Sequence, residues 1–178
     1  MCGIVGYIGQ REAAPLLLES LKKLEYRGYD SAGIAVLNSG HVTIRRCEGK
    51  LENLAEALAR NPLRGNIGIG HTRWATHGRP SETNAHPHRA GNVVVVHNGI
   101  IENYLKLKED LLQEGARFES ETDTEIVAHL VDAKIRKGAD FLTAVRRSLK
   151  EIQGSYALVF LNQSDPERLI VAKNSTPI

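Results

Sequence analysis

The sequence predicts an α+β domain in which antiparallel sheets are covered by helices. Three observations carry this reading. Asn38-Ser39-Gly40 separates two strand-like runs, Ala32–Leu37 and His41–Cys47, as a hairpin turn would. Elsewhere apolar residues recur at helical spacing, as in Leu51, Leu54, Ala55 and Leu58. Hairpin-like strand pairs also argue against a purely parallel doubly wound sheet, whose strands need long crossovers. The 178 residues suffice for one domain with a sizeable core.

The elements follow in order. Cys2–Gly9 is apolar and glycine-punctuated, and reads as a buried first strand. Pro15 stands near the start of a helical pattern, where its missing N–H matters little. Leu17, Leu21 and Leu24 continue that pattern and Gly28 can end it. After the hairpin and the Leu51–Leu58 helix, Ile67, Ile69 and His71 alternate like a strand. A long polar loop then runs from Trp74 to about Gly91, and loops of that length in compact domains are often functional. Asn92–His97 is a strand, and Asn103 can cap a helix carrying Tyr104, Leu107 and Leu111, with Gly115 as its stop. Thr122-Asp123-Thr124-Glu125 fits a capping box ahead of Ile126, Leu130 and Ala133. Asp140 can cap a helix with Leu142, Val145 and Leu149, and Ser155–Leu161 and Arg168–Ala172 close the chain as strands. The last residues, Ser175-Thr176-Pro177-Ile178, read as a cut in a longer protein.

Composition narrows the class. Apolar residues are 42% and charged residues 25%, and the formal charge is +2 with no basic run, so nucleic acid is not an expected partner. No apolar run, Val93–Val96 included, approaches the length of a membrane span, and the N-terminus has no secretory signal pattern. Cys2 and Cys47 are the only cysteines, so a disulfide framework is excluded and free thiols suit a reducing cytosol. No glycine-rich phosphate loop is present, and no cofactor is expected.

Cys2 follows Met1 directly. A cysteine there can be incidental, but Gly3-Ile4-Val5-Gly6 would anchor the terminus in the core and hold the thiol in place. Once Met1 is removed, the α-amine of Cys2 lies beside its own sulfur. Its reference pKa of about 7.7–8.0 suits a general base. A nucleophile served by an N-terminal amine follows, with a bridging water to relay the proton. Cys47 reads as a small hydrophobe on a strand.

Longer motifs sharpen this. Met1-Cys2-Gly3-Ile4-Val5-Gly6 resembles the start of class II glutamine amidotransferases, which are N-terminal-nucleophile hydrolases. The stretches Leu24 to Gly33, His71 to Gly78, His97 to Asn103 and Ser120 to Glu125 resemble the glutaminase domains of the glucosamine-6-phosphate synthases (glutamine–fructose-6-phosphate aminotransferases). The resemblance implies a four-layer αββα sandwich over residues 1–178, lacking the C-terminal sugar-isomerase domains. It implies hydrolysis of L-glutamine through a Cys2 thioester, with ammonia passed in the full-length enzyme to fructose 6-phosphate. That enzyme would be a cytoplasmic homo-oligomer. A different class II amidotransferase, or a glutamine-binding regulatory module without turnover if Met1 is retained, are the rival readings.

Each candidate site residue has two readings. Arg73 is either a surface cation or, as the resemblance implies, a guanidinium fork for the α-carboxylate of glutamine, completed by Thr76 and His77. Asn98-Gly99 alone is a hairpin signal. The resemblance makes it an oxyanion hole, with the Asn98 amide and the Gly99 N–H as donors. Asp123, among Glu119, Glu121 and Glu125, is either a solvated acid at a helix start or, as the resemblance implies, the partner of the substrate ammonium. Trp74 is a packing anchor or, as the resemblance implies, a residue that shapes the substrate pocket or the ammonia exit. Arg27 is a further family position whose role stays open. His71, His77, His86, His88 and His97 fall within 27 residues, yet their spacing matches no zinc pattern, so no metal is expected.

Overall fold

The computed structural model describes residues 2–75 and 78–176. Strand β1 (Gly3–Ile8) is followed by helix α1 (Ala13–Lys22), β2 (Ser31–Asn38), β3 (His41–Glu48), α2 (Leu51–Arg60) and β4 (Ile67–Arg73). The second half holds β5 (His88–Ala90), β6 (Val93–Ile101), α3 (Tyr104–Gln113), α4 (Asp123–Arg136), α5 (Phe141–Leu149), β7 (Gly154–Asn162) and β8 (Asp165–Asn174). Two four-stranded sheets result, in the orders β1-β4-β2-β3 and β5-β6-β7-β8, and every strand pairing within them is antiparallel.

Strand alternation shows why the sheets stack. In β2, Ile34 and Val36 pack with Leu17 and Leu21 of α1 and Leu54 of α2, while Ala35 and Leu37 join Val94, Val96 and Val159 from the other sheet. In β6, Val93 and Val95 pack with Ile126 and Val127 of α4, and the intervening valines meet the first sheet. A strand sandwiched in this way needs apolar residues at both parities, which is why Val93–Val96 is unbroken. The outcome is the helix–sheet–sheet–helix stack that the resemblance implied.

Local signals mostly hold. Ser39 and Gly40 turn the β2–β3 hairpin with positive φ of 48° and 79°, the twist that two-residue hairpins favour. Thr122 and Asp140 cap α4 and α5 by accepting from the backbone N–H of Glu125 and Thr143. Four expectations need correction. β1 is only half-buried, with Ile8 exposed, because it is the edge strand of its sheet. α1 stops before Leu24, which instead opens a single 3₁₀ turn over Glu25–Arg27. Asn103 stands at the start of α3 but its side chain bonds the Glu151 carbonyl and the Gln153 N–H, so it ties α3 to the β7 approach rather than capping. Asn98-Gly99 is not a turn: β6 runs through both, pairing Asn98 with Ala157 and Gly99 with Tyr156.

Candidate active site

The ends of β4 and β6 lie side by side across the two sheets, and a cavity of about 490 Å³ opens there. Cys2, Arg27, Arg73, Trp74, Asn98, Gly99 and Asp123 all border it. Residues that are distant in sequence thus meet at one place. Thr76 and His77 lie outside the described residues.

Cys2 is placed by β1. Gly3 pairs with Thr72, which sets the thiol beside the end of β4, where the Trp74 backbone N–H donates to Cys2 Sγ at 3.1 Å. Burial pushes the Cys2 thiol pKa up, so the sulfur carries its proton at neutral pH and an acceptor is needed to make it a nucleophile. Trp74 itself is 55% exposed, and its ring lies where a side chain on Gly28 would sit. Gly28 has φ of 74° and a Cβ there would come within 3.1 Å of the indole, so the tight turn after the 3₁₀ segment makes room for the ring.

Arg73 is buried, which excludes the surface-cation reading. It donates to the Gly78 carbonyl at 2.9 Å and stands 3.8 Å from an Asp30 carboxylate oxygen. Asp30 also accepts from the Ser31 hydroxyl at 2.9 Å and from the Ala75 N–H, so one carboxylate ties Arg73 to the start of the loop. Asp123 is buried too, against the solvated-acid reading. Its Oδ2 accepts from the Ile101 N–H at 2.8 Å and lies 4.0 Å from His97 Nδ1. A buried cation and a buried anion therefore border the same cavity, a combination that matches the two charges of an α-amino acid.

The Asn98 side chain is oriented from both ends. Its Nδ2 donates to the Cys2 carbonyl at 3.3 Å, and its Oδ1 is 2.9 Å from His71 Nε2. Next to it, Gly99 has φ of 129°, and a Cβ would fall 2.0 Å from the Ser155 carbonyl oxygen. Only glycine fits that backbone.

His71, His86, His88 and His97 form a buried group. His71 stacks on His86 with ring centroids 4.2 Å apart, and His86 meets the edge of His88 at 4.8 Å. His97 Nδ1 and the Thr124 hydroxyl are 3.0 Å apart, and His88 Nε2 bonds the Thr122 hydroxyl. Burial lowers the pKa of His71 and His88 to about 3, and that of His86 well below its ordinary value, so these rings are neutral. Among the described residues no group of three His, Cys, Asp or Glu side chains is arranged to hold a metal. The sequence reading did not assign Asp30, the His71–Asn98 pair or the His97–Thr124 pair. One signal was available: His71 shares the core-facing parity of Ile67 and Ile69, and a polar residue there must find an internal partner.

Comparison with known proteins identifies the family. Residues 71–178 match the family model described as a glutamine amidotransferase domain. The chain is 57% identical to a glutamine–fructose-6-phosphate aminotransferase (isomerizing) of Brucella suis over 178 residues, and 54% identical to one of Pyrococcus horikoshii over 180. Both matches cover all of this chain but only 29% and 30% of those proteins, so the chain spans under a third of their length. Among solved structures it resembles the glutamine phosphoribosylpyrophosphate amidotransferase of B. subtilis with a TM-score of 0.81 at 28% identity, over 96% of this chain and 37% of that one. The chain therefore belongs to the glutamine amidotransferase domain family, and its fold is that of the class II enzymes.

Proposed function

We propose that this domain hydrolyses the side-chain amide of L-glutamine to glutamate and ammonia, with Cys2 as nucleophile. The observation that carries the reading is the Asn98 amide turned toward Cys2, beside Gly99, in a cavity that Arg73 and Asp123 also border. After removal of Met1, the α-amine of Cys2 takes the thiol proton through a water, and Sγ attacks the amide carbon. The Asn98 NH2 and the Gly99 N–H donate to the oxyanion. The C–N bond breaks as the α-ammonium returns its proton to the leaving nitrogen, and ammonia and a thioester result. Water, deprotonated by the same amine, attacks the thioester, and glutamate leaves as Sγ recovers the proton. Arg73 holds the substrate carboxylate and Asp123 its ammonium, so recognition at one end of glutamine presents the other end to the thiol.

In a protein of the relatives' length, the ammonia is used to make glucosamine 6-phosphate from fructose 6-phosphate by domains beyond this one, in a cytosolic homo-oligomer. The test combines two measurements on one sample: mass spectrometry of the N-terminus and an assay for glutamate and ammonia. Turnover with Cys2 at the terminus is the expected result. Full turnover with Met1 verified intact would remove the amine from the mechanism. No turnover with Met1 absent would make the domain a glutamine-binding module.

A further inference from the structure

We infer that His71 is a positioning residue that fixes which end of the Asn98 amide faces the reacting carbon. The inference rests on the reading of Asn98 as an oxyanion donor. An asparagine amide has two nearly equal shapes related by a half-turn about its last bond, and only one of them presents N–H to the oxyanion. The flipped form presents a carbonyl, which repels it.

The choice is made by His71. Its Nε2 lies 2.9 Å from Asn98 Oδ1 and 3.0 Å from the His97 carbonyl oxygen. A carbonyl can only accept, so Nε2 must carry the proton. A protonated Nε2 then meets Asn98 with a donor, and Asn98 must answer with oxygen. Flipping the amide would set N–H against N–H at the buried His71 ring, where a lost hydrogen bond is expensive. With oxygen held by His71, the NH2 group is left on the Cys2 side, where it reaches the Cys2 carbonyl.

The ring itself is well fixed. His71 sits within β4 between two paired strands and is stacked on His86. Its Nδ1 is buried with no hydrogen-bond partner among the described residues, so moving the proton there would set a bare Nε2 against the His97 carbonyl oxygen and leave the Nδ1 N–H unpaired among them. Burial also keeps the ring neutral through the working pH range, so the lock does not titrate with the thiol and amine.

The test is a comparison of His71→Leu, His71→Gln and His71→Asn in the intact protein, with thermal stability recorded for each. Leucine keeps the volume and loses the donor, and kcat should fall by about 10- to 100-fold with KM for glutamine little changed. That is somewhat less than the roughly 10²–10³ expected for deleting an oxyanion donor outright. Glutamine can place an N–H near the ε position and should recover much of kcat. The shorter asparagine cannot and should not. In an Asn98→Ala background, His71→Leu should cause no further loss of kcat, because there is no amide left to orient. Wild-type kcat in a folded His71→Leu variant, or a loss that multiplies with that of Asn98→Ala, would overturn the inference. Unchanged kcat in Asn98→Ala would instead overturn the oxyanion reading on which it rests.

Discussion

The two walls of the cavity are built differently. The wall that carries the thiol is made from an edge strand and a loop: Cys2 precedes β1, Trp74 is more than half exposed, and Asp30 fastens Arg73 and Ala75 from a short connection. The facing wall is made from β6, a strand paired on both sides, and from the first turn of α4. His97, Asp123 and Thr124 there are deeply buried, Asn98 is half-buried, and the group is held by bonds to His71, to the Thr124 hydroxyl and from the Ile101 N–H. Groups that must meet a developing charge gain from being fixed before it forms, since reorganising them during reaction would add to the barrier. The groups that admit and hold a substrate have no such requirement. On the proposed roles, changes at the oxyanion donors of β6 act on kcat, whereas changes at the substrate charges, Arg73 on one wall and Asp123 on the other, act on KM.

Variants can break that division. The largest effect is expected for Cys2→Ala, which should abolish glutaminase turnover while leaving glutamine binding by calorimetry intact. Asn98→Ala should come next, lowering kcat by about 10²–10³ with a nearly unchanged KM. Arg73→Lys and Asp123→Asn should do the reverse, raising KM by roughly 10- to 100-fold, as loss of a charge-assisted hydrogen bond worth about 1.5–3 kcal/mol implies. A KM effect from Asn98 or a pure kcat effect from Arg73 in steady-state kinetics would erase the distinction between oxyanion donors and substrate charges.

Acid should expose the buried wall more gently. His71 and His88 have pKa values near 3 in the folded protein against 6.5 for an ordinary histidine. The unfolded chain therefore takes up protons as pH falls below about 6.5 while the folded one does not, and stability declines from there toward pH 3. Glu125 adds a second loss. Burial opposes its ionisation, but His129 and the Glu119 and Ser120 donors outweigh that and hold it at about 2, against 4.5. Its contribution is present above pH 4.5 and disappears as pH falls through 2. Urea midpoints measured from pH 7 to 4 should fall throughout that range, and a flat profile would contradict the neutral histidine group. The smallest effect is expected away from the cavity lining: Asp140→Ala should lower stability by about 1 kcal/mol through loss of the α5 cap, with kinetics unaltered.

The sequence displayed the fold wherever a local rule governs it. The β2–β3 turn, the Thr122 and Asp140 caps and the unbroken valines of β6 follow from turn chemistry, capping and burial on two faces. It was less legible where long-range pairing overrides a local preference. Asn98-Gly99 has the composition of a turn, yet pairing with β7 carries the strand straight through it, because the valines before it are committed to the core. The same limit applies at the site. Motif resemblance brought out Arg73, Asn98 and Asp123, whereas Asp30 and His71 act through partners 27 to 45 residues away that no local pattern reveals.

The passage of β6 through Asn98-Gly99 also bears on how the protein ages. In a mobile chain an asparagine followed by glycine is chemically fragile: the glycine nitrogen closes on the side-chain carbonyl, ammonia is expelled, and the ring opens to aspartate or isoaspartate. Here pairing with β7 holds the backbone and His71 holds the carbonyl oxygen, so the ring cannot readily close. Protection lasts only while the strand is folded. Each excursion to the unfolded state exposes Asn98 to a reaction that replaces an N–H donor with a carboxylate facing Cys2. Stored or heated samples should accordingly lose activity in step with a mass gain of about one dalton at this peptide, and conditions that slow unfolding should slow both.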